Sequence, residues 1–268
     1  MIMSVDTMVL RNLYFNGGSS FDTHYHGQWL RQHWWVSIFI SLTYIFIIFG
    51  GKRLMSDRKP FDLRSPLVAW SGSFALFSFA GAVVMVRDFA RCVVEDGWRA
   101  TMCDANFFNG NVGLWVWLFA LSKVLELGDT IFIVLRKQKL IFIHWYHHVT
   151  TLIYTFYLYA DCMSVGRYFG TLNFVVHFVM YSYYALSAAK IINKPRQIKI
   201  SVTVFQLVQF VISIGVSLYA AFELSAGRHC DINWLNIFWT MVLYVSFLYY
   251  FLKFFYDAYV KRPEKQKI

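Results

Sequence analysis

The sequence predicts an all-α, polytopic membrane protein, and three observations carry that prediction. Hydrophobic residues make up 58% of the 268 positions and charged residues only 15%, with a mean hydropathy of +0.46; a soluble domain sits near half and a quarter. Apolar runs of about 20 residues, the length needed to cross the hydrocarbon of a bilayer, recur along the whole chain. Lysine and arginine gather between those runs instead of being spread through them. In lipid a helix satisfies its own backbone and an open sheet does not, so the runs are read as helices.

Seven spans are expected: 34–50, 65–86, 113–135, 140–160, 168–189, 200–222 and 233–256. The first two are separated by the basic segment 51–64, with Lys52, Arg53, Arg58, Lys59 and Arg64. Arg87, Arg91 and Arg99 follow the second. The third carries Lys123, Glu126, Asp129 and Thr130, and Arg136, Lys137 and Lys139 divide it from the fourth. Arg167 precedes the fifth, and Lys190, Lys194, Arg196 and Lys199 stand between the fifth and sixth. Arg228 precedes the seventh, and Lys261, Arg262, Lys265 and Lys267 follow it. Several spans contain polar residues, so hydropathy alone undercounts them.

Alternate connections therefore differ in charge. One side collects 16 Lys and Arg, the other seven, and only Lys123 and Lys253 lie within spans. The excess places the basic loops and the tail in the cytosol, and an odd number of spans puts the N-terminus across the membrane. The net charge of +10 is thus explained by topology, with no nucleic acid partner. The first 33 residues show no cleavable signal peptide. Four cysteines are too few for a disulfide scaffold and none has zinc-finger spacing. Cys103 and Cys230 both fall on the non-cytosolic, oxidising side, where they could pair.

The fourth span holds the densest chemistry. His144, His147 and His148 lie within five residues of an apolar run. Helical spacing lets all three rings point into one cavity, and ionisable groups at membrane depth are costly without a purpose. Lys123, Glu126 and Thr130 share a face of the third span with Asp129 beside them. Asn173, His177, Tyr181 and Tyr184 fall near one face of the fifth. Thr203, Gln206 and Gln209 recur every three residues in the sixth. Polar groups in lipid must satisfy one another or line a cavity.

Two chemistries suit such a constellation. One is a non-haem di-iron centre of the kind found in membrane desaturases and hydroxylases, since imidazole suits iron, although four intramembrane histidines fall short of the several boxes such a centre uses. A single zinc is not excluded by spacing. The other is nucleophilic and acid–base work on a carbonyl, in which a neutral imidazole attacks a thioester and leaves again. A seven-helix receptor or transporter is the alternative of a different class, and a water-filled pathway would distinguish it.

The ordered strings Lys123-x-x-Glu126-x-x-Asp129-Thr130, His144-x-x-His147-His148, Asn173-x-x-x-His177-x-x-Met180-Tyr181-x-Tyr183-Tyr184 and Thr203-x-x-Gln206-x-x-Gln209, with Leu135-Arg136-Lys137-Gln138-Lys139-Leu140 between the first two, closely resemble the very-long-chain fatty acid elongase (ELO) family. The resemblance covers the whole membrane portion. It implies a 3-oxoacyl-CoA synthase of the endoplasmic reticulum membrane that condenses acyl-CoA with malonyl-CoA, releasing CO2 and CoA. It implies seven spans, six of them around a narrow acyl tunnel, with no metal or other cofactor. The partners it implies are acyl-CoA, malonyl-CoA, the lipid bilayer, and the reductases and dehydratase of the elongation cycle; a homodimer is compatible with it. His147 takes the acyl-carrier position, His177 the malonyl step, and His144 and His148 complete the catalytic set. Lys123, Glu126, Asp129, Thr130, Asn173, Tyr181, Tyr184, Gln206 and Gln209 become substrate-site residues, as do Lys137 and Lys194 among the basic loops that face CoA phosphates. The resemblance also supports pairing of Cys103 with Cys230. The chain divides into a lumenal segment 1–33, a catalytic membrane domain 34–256 and a cytosolic basic tail 257–268. Trp145 within the box resembles the branch acting on saturated and monounsaturated chains, and a methyl-branched saturated substrate stays open beside them. Two features depart from the family pattern: the tail Lys265-Gln266-Lys267-Ile268 lacks lysines where a dilysine retrieval signal has them, and the chain has no Asn-x-Ser/Thr sequon.

Overall fold

The computed structural model describes residues 23–193 and 196–261, so residues 1–22, Lys194 and the tail from Arg262 onward lie outside the described residues. Among the described residues ten α-helices follow one another: α1 (Thr23–His33), α2 (Val36–Leu54), α3 (Arg64–Glu95), α4 (Ala100–Cys103), α5 (Gly110–Glu126), α6 (Gly128–Leu135), α7 (Phe142–Ala160), α8 (Gly166–Ala188), α9 (Arg196–Ser225) and α10 (Trp234–Phe255). A 3₁₀ turn at Asn106–Phe108 and a π turn at Tyr256–Val260 complete the order, and no strand occurs among the described residues.

Each expected span falls on a helix. Four stretches are long and apolar enough to cross a membrane: α2, α3, α9 and Trp234–Val260. The other expected crossings, α5–α6, α7 and α8, carry the lysine, carboxylates and histidines that lower their hydropathy. Two features depart from expectation. The third span is two helices, interrupted at Leu127. Part of the N-terminal segment forms α1, which packs on the end of α7. Its arginine Arg31 donates to Cys162 Sγ at 3.5 Å, and Trp34 just beyond it meets Tyr157 at 5.4 Å between ring centroids.

The helices stop for identifiable reasons. Lys137, Cys162 and Lys190 take left-handed backbone angles just past α6, α7 and α8. The amide after each reaches back to the carbonyl of Ile133, Leu158 and Leu186 respectively, closing the last turn by the 6→1 bond of a Schellman cap. At the start of α10 the Asn233 side chain accepts from the Asn236 amide and satisfies one of the orphan donors there.

Packing is dominated by α3 against α8 and α9 against α10, with α7 touching α1, α2, α5 and α10. Phe46, Leu76, Phe222 and Tyr249 stay exposed, as expected of lipid-facing surface. The two ends of the bundle differ. At one, Cys103 and Cys230 form a disulfide, and Asp231 binds the Cys103 carbonyl and the Ala105 amide. Arg167, wholly buried, bridges Asp88 at 3.1 Å, Cys92 Sγ and the Ala100 carbonyl, and also binds Asn106. Glu223 holds Arg99 and Arg228. At the opposite, basic end Arg64 donates to the carbonyls of Ala188 and Ala189. Lys137 donates to those of Ser56 and Arg58.

Candidate active site

The histidines of α7 do not converge. Positions 144 and 148 are separated by about 40° around a helix, whereas 147 lies about 100° from 148. His144 and His148 accordingly face one way, with ring centroids 4.6 Å apart. His144 Nε2 lies 2.9 Å from Thr130 Oγ1, which is itself 2.6 Å from Tyr44 Oη. His148 sits beside Tyr44, 6.5 Å between centroids. His147 turns the other way, toward Phe247 at 4.9 Å, and lines a cavity that the other two do not. This corrects the expectation of a single three-ring pocket.

A second set of contacts joins α5–α6 to α8. Lys123 Nζ donates to Glu126 Oε1 and to Asn173 Oδ1, both at 2.8 Å, and stands 4.2 Å from the Phe119 ring centroid. Glu126 Oε1 also accepts from Ser122 Oγ at 3.1 Å and lies 3.6 Å from His177 Nδ1. Asp129 accepts from Tyr181 Oη and from Trp70 Nε1, each at 2.6 Å. Positions 123, 126 and 129 thus meet 173, 177 and 181. Steps of three on one helix match steps of four on the other, so α5–α6 and α8 run in the same direction and are joined through their side chains as a three-rung ladder. Lys123, Glu126, Asn173 and His177 are all under 10% exposed, and two charges this far from water persist only when hydrogen-bonded to each other and to their neighbours. The expected shared face of Lys123, Glu126 and Thr130 is split by the break at Leu127, which turns Thr130 toward α2 and α7. Glycine is required just past that break: a Cβ on Gly128 would stand 2.6 Å from Trp70 Cζ2, displacing the indole that binds Asp129.

The cavity is walled by six helices, α3, α5, α7, α8, α9 and α10, while α2 stays outside. Its polar lining residues are His147, Asn173 and Gln209, with Thr151, Tyr154, Thr155 and Tyr159 further along α7 and Tyr244 from α10; Met85, Phe119, Phe169 and Phe174 make much of the rest apolar. A largely apolar cavity with one imidazole on its wall and a buried Lys–Glu–His cluster bonded to its lining residue Asn173 can take an extended hydrocarbon and present a carbonyl to His147. Among the described residues no group of three or more His, Cys, Asp and Glu is arranged to hold a metal ion.

Other expected site residues are placed as follows. Gln206 Nε2 contacts Met180 Sδ at 3.2 Å. Thr203 bonds the Lys199 carbonyl. Tyr184 is 43% exposed, and Lys137 is engaged with the α2–α3 loop. Sequence reasoning passed over Tyr44, Trp70, Ser122 and Arg167. A phenol and an indole inside apolar spans were the available signals for the first two; Arg167 read as a loop residue because nothing local marks it as buried.

Comparison with known proteins agrees with this architecture. The profile of the "ELO: GNS1/SUR4 family" matches residues 29–267. The human protein named very long chain fatty acid elongase 6 is 43% identical over 239 residues, 89% of each chain. The chicken protein of the same name is 40% identical over 266 residues, 99% of each. The Caenorhabditis elegans putative fatty acid elongase 3 is 42% identical over 251 residues, 92% of this chain and 78% of that one. With a helical membrane bundle, an apolar six-helix cavity and similarity over nearly the whole length, the chain belongs to the ELO (GNS1/SUR4) family of very-long-chain fatty acid elongases.

Proposed function

We propose that this elongase is the condensing enzyme of the cycle, a very-long-chain 3-oxoacyl-CoA synthase. It joins a long-chain saturated or monounsaturated acyl-CoA, straight or methyl-branched, to malonyl-CoA in the endoplasmic reticulum membrane. The observation that carries the reading is the position of His147, the one histidine on the cavity wall, beside the Lys123–Glu126–His177 cluster.

In this reading the acyl chain fills the cavity with its thioester at His147. A ring nitrogen attacks the thioester carbon, the C–S bond breaks, CoA leaves as the thiol, and an acyl-imidazole remains. Exclusion of water by the apolar walls protects it from hydrolysis. Malonyl-CoA then loses CO2, and its enolate carbon attacks the acyl carbon. The N–C bond breaks, the ring nitrogen takes up a proton from solvent in place of the one that left with the thiol, His147 is regenerated, and a 3-oxoacyl-CoA two carbons longer departs. His177, oriented by Glu126, donates a hydrogen bond to the enolate oxygen. Lys123 and Asn173 fix the thioester end, with Gln209 opposite. His144 is held by Thr130 and Tyr44 and packs on His148, which supports the α7 turn carrying His147. Basic residues of the cytosolic end, Lys137 and Lys194 among them, meet the CoA phosphates. The chemistry needs the two thioesters and no metal or cofactor, and its product passes to the reductases and dehydratase of the cycle. Seven crossings leave the tail cytosolic and the disulfide end lumenal.

Intact-protein mass after incubation with acyl-CoA alone tests the reading. Wild type gains a hydroxylamine-labile acyl adduct and releases CoA without malonyl-CoA, and His147→Ala gains none. An adduct of equal yield on His147→Ala would move the carrier to another residue, and no adduct on active enzyme would favour direct condensation.

A further inference from the structure

Of the residues with which α7 lines the cavity, Tyr159 lies furthest along the helix from His147. His147, Thr151, Thr155 and the pair Leu158–Tyr159 all line the cavity from α7, about one helical turn apart, so this helix runs along it. Tyr159 is 1% exposed, and its hydroxyl is buried with no hydrogen-bond partner among the described residues. A phenol usually finds a partner when buried, so packing, not bonding, sets where this one lies. The packing partner is α1. A Cβ built on Gly27, in the middle of that helix, would stand 2.8 Å from Tyr159 Oη and 3.2 Å from its Cε1. Glycine inside a helix is otherwise unfavourable, and here it makes the room that keeps the phenol out of the cavity. On the other side Phe108 holds the ring edge-on at 5.6 Å between centroids.

We infer that Tyr159, seated on Gly27 of α1, is the chain-length stop of the acyl cavity. The inference rests on the synthase reading for the position of the thioester. Tyr159 lies 12 residues past His147, which is about 18 Å of helix. An extended alkyl chain with bonds of about 1.5 Å advances about 1.25 Å per carbon at tetrahedral angles, so the space between carrier and stop takes about 14 carbons beyond the carbonyl. The contact of α1 with Tyr159, outside the six-helix wall, therefore sets the limit.

The experiment uses the full-length protein in microsomes. It reads malonyl-CoA incorporation across saturated acyl-CoAs of increasing length and, separately, thermal protection by the same series. Ratios between lengths are independent of how much variant folds. A methylene too many in a closed apolar pocket is discriminated by about 10- to 200-fold. Tyr159→Leu is expected to raise the preference for eicosanoyl- over hexadecanoyl-CoA by about tenfold or more. Gly27→Ala, which pushes the ring inward by part of a methylene, is expected to lower the preference for octadecanoyl- over tetradecanoyl-CoA by about threefold. Gly27→Ala combined with Tyr159→Phe removes the atom nearest the new methyl and restores the wild-type profile. Unchanged ratios in both single variants, or a uniform loss at every length, would overturn the stop. Wild type that yields no malonyl-dependent product while its thermal-protection profile still shifts with these substitutions would overturn the synthase reading and leave the stop standing.

Discussion

Replacing Lys123 by methionine isolates the energetics of the buried cluster. The ammonium is 2% exposed, donates at 2.8 Å to both Glu126 and Asn173, and faces the Phe119 ring. Methionine keeps much of the volume and removes the charge, which leaves the Glu126 carboxylate buried with only Ser122 and His177 beside it. Breaking a buried pair by removing one partner costs about 3–5 kcal/mol. For a chain of this size each kcal/mol lowers Tm by about 2–4 °C, so the variant should melt about 6–20 °C below wild type. Lys123→Met combined with Glu126→Gln removes both charges and leaves an amide that still accepts from Ser122. It should recover a substantial part of that loss, with a coupling energy above about 1 kcal/mol, as expected for residues in one network. The assay is thermal unfolding of detergent-solubilised protein followed by intrinsic fluorescence, which is independent of activity. A single-variant shift under about 2 °C, or a double variant whose loss equals the sum of the two singles, would refute the reasoning that these charges are desolvated and paired.

Arg167→Met should lower Tm, because it leaves the buried Asp88 carboxylate with Arg91 as its one remaining arginine partner; melting as wild type would contradict that pairing. Cys103→Ser should destabilise by up to about 4–5 kcal/mol, since the disulfide closes a separation of 127 residues, and a matching fall in Tm of wild type under reductant checks the cause. Gly128→Leu should displace Trp70 from Asp129 and cut condensation activity more than it cuts Tm; retained activity would show that the third rung is dispensable.

The helices were legible because a membrane imposes length and polarity on each crossing, and the expected 140–160 and 168–189 fall within two residues of α7 and α8. The ladder was half legible. Spacing put Asn173, His177 and Tyr181 on one face, but which carboxylate each one meets depends on the relative shift of two helices, and a linear pattern contains no such information. The division of the histidine box was hidden for a different reason. Angular separations of 40° and 100° are both compatible with one pocket until neighbouring helices take their places. The break at Leu127 left no local mark beyond Gly128, and α1 was missed because a short polar helix held by its contacts with α7 lacks the hydrophobic length that announces a span.

That break has a mechanical consequence. Had 110–135 been one rigid rod, any sideways give in its first half, where Phe119 and Ala120 bound the cavity, would have swung its second half and carried Thr130 off His144. Two short rods joined at Leu127 separate these duties. The first, α5, gives the cavity part of its wall, and the second, α6, holds Thr130 on His144.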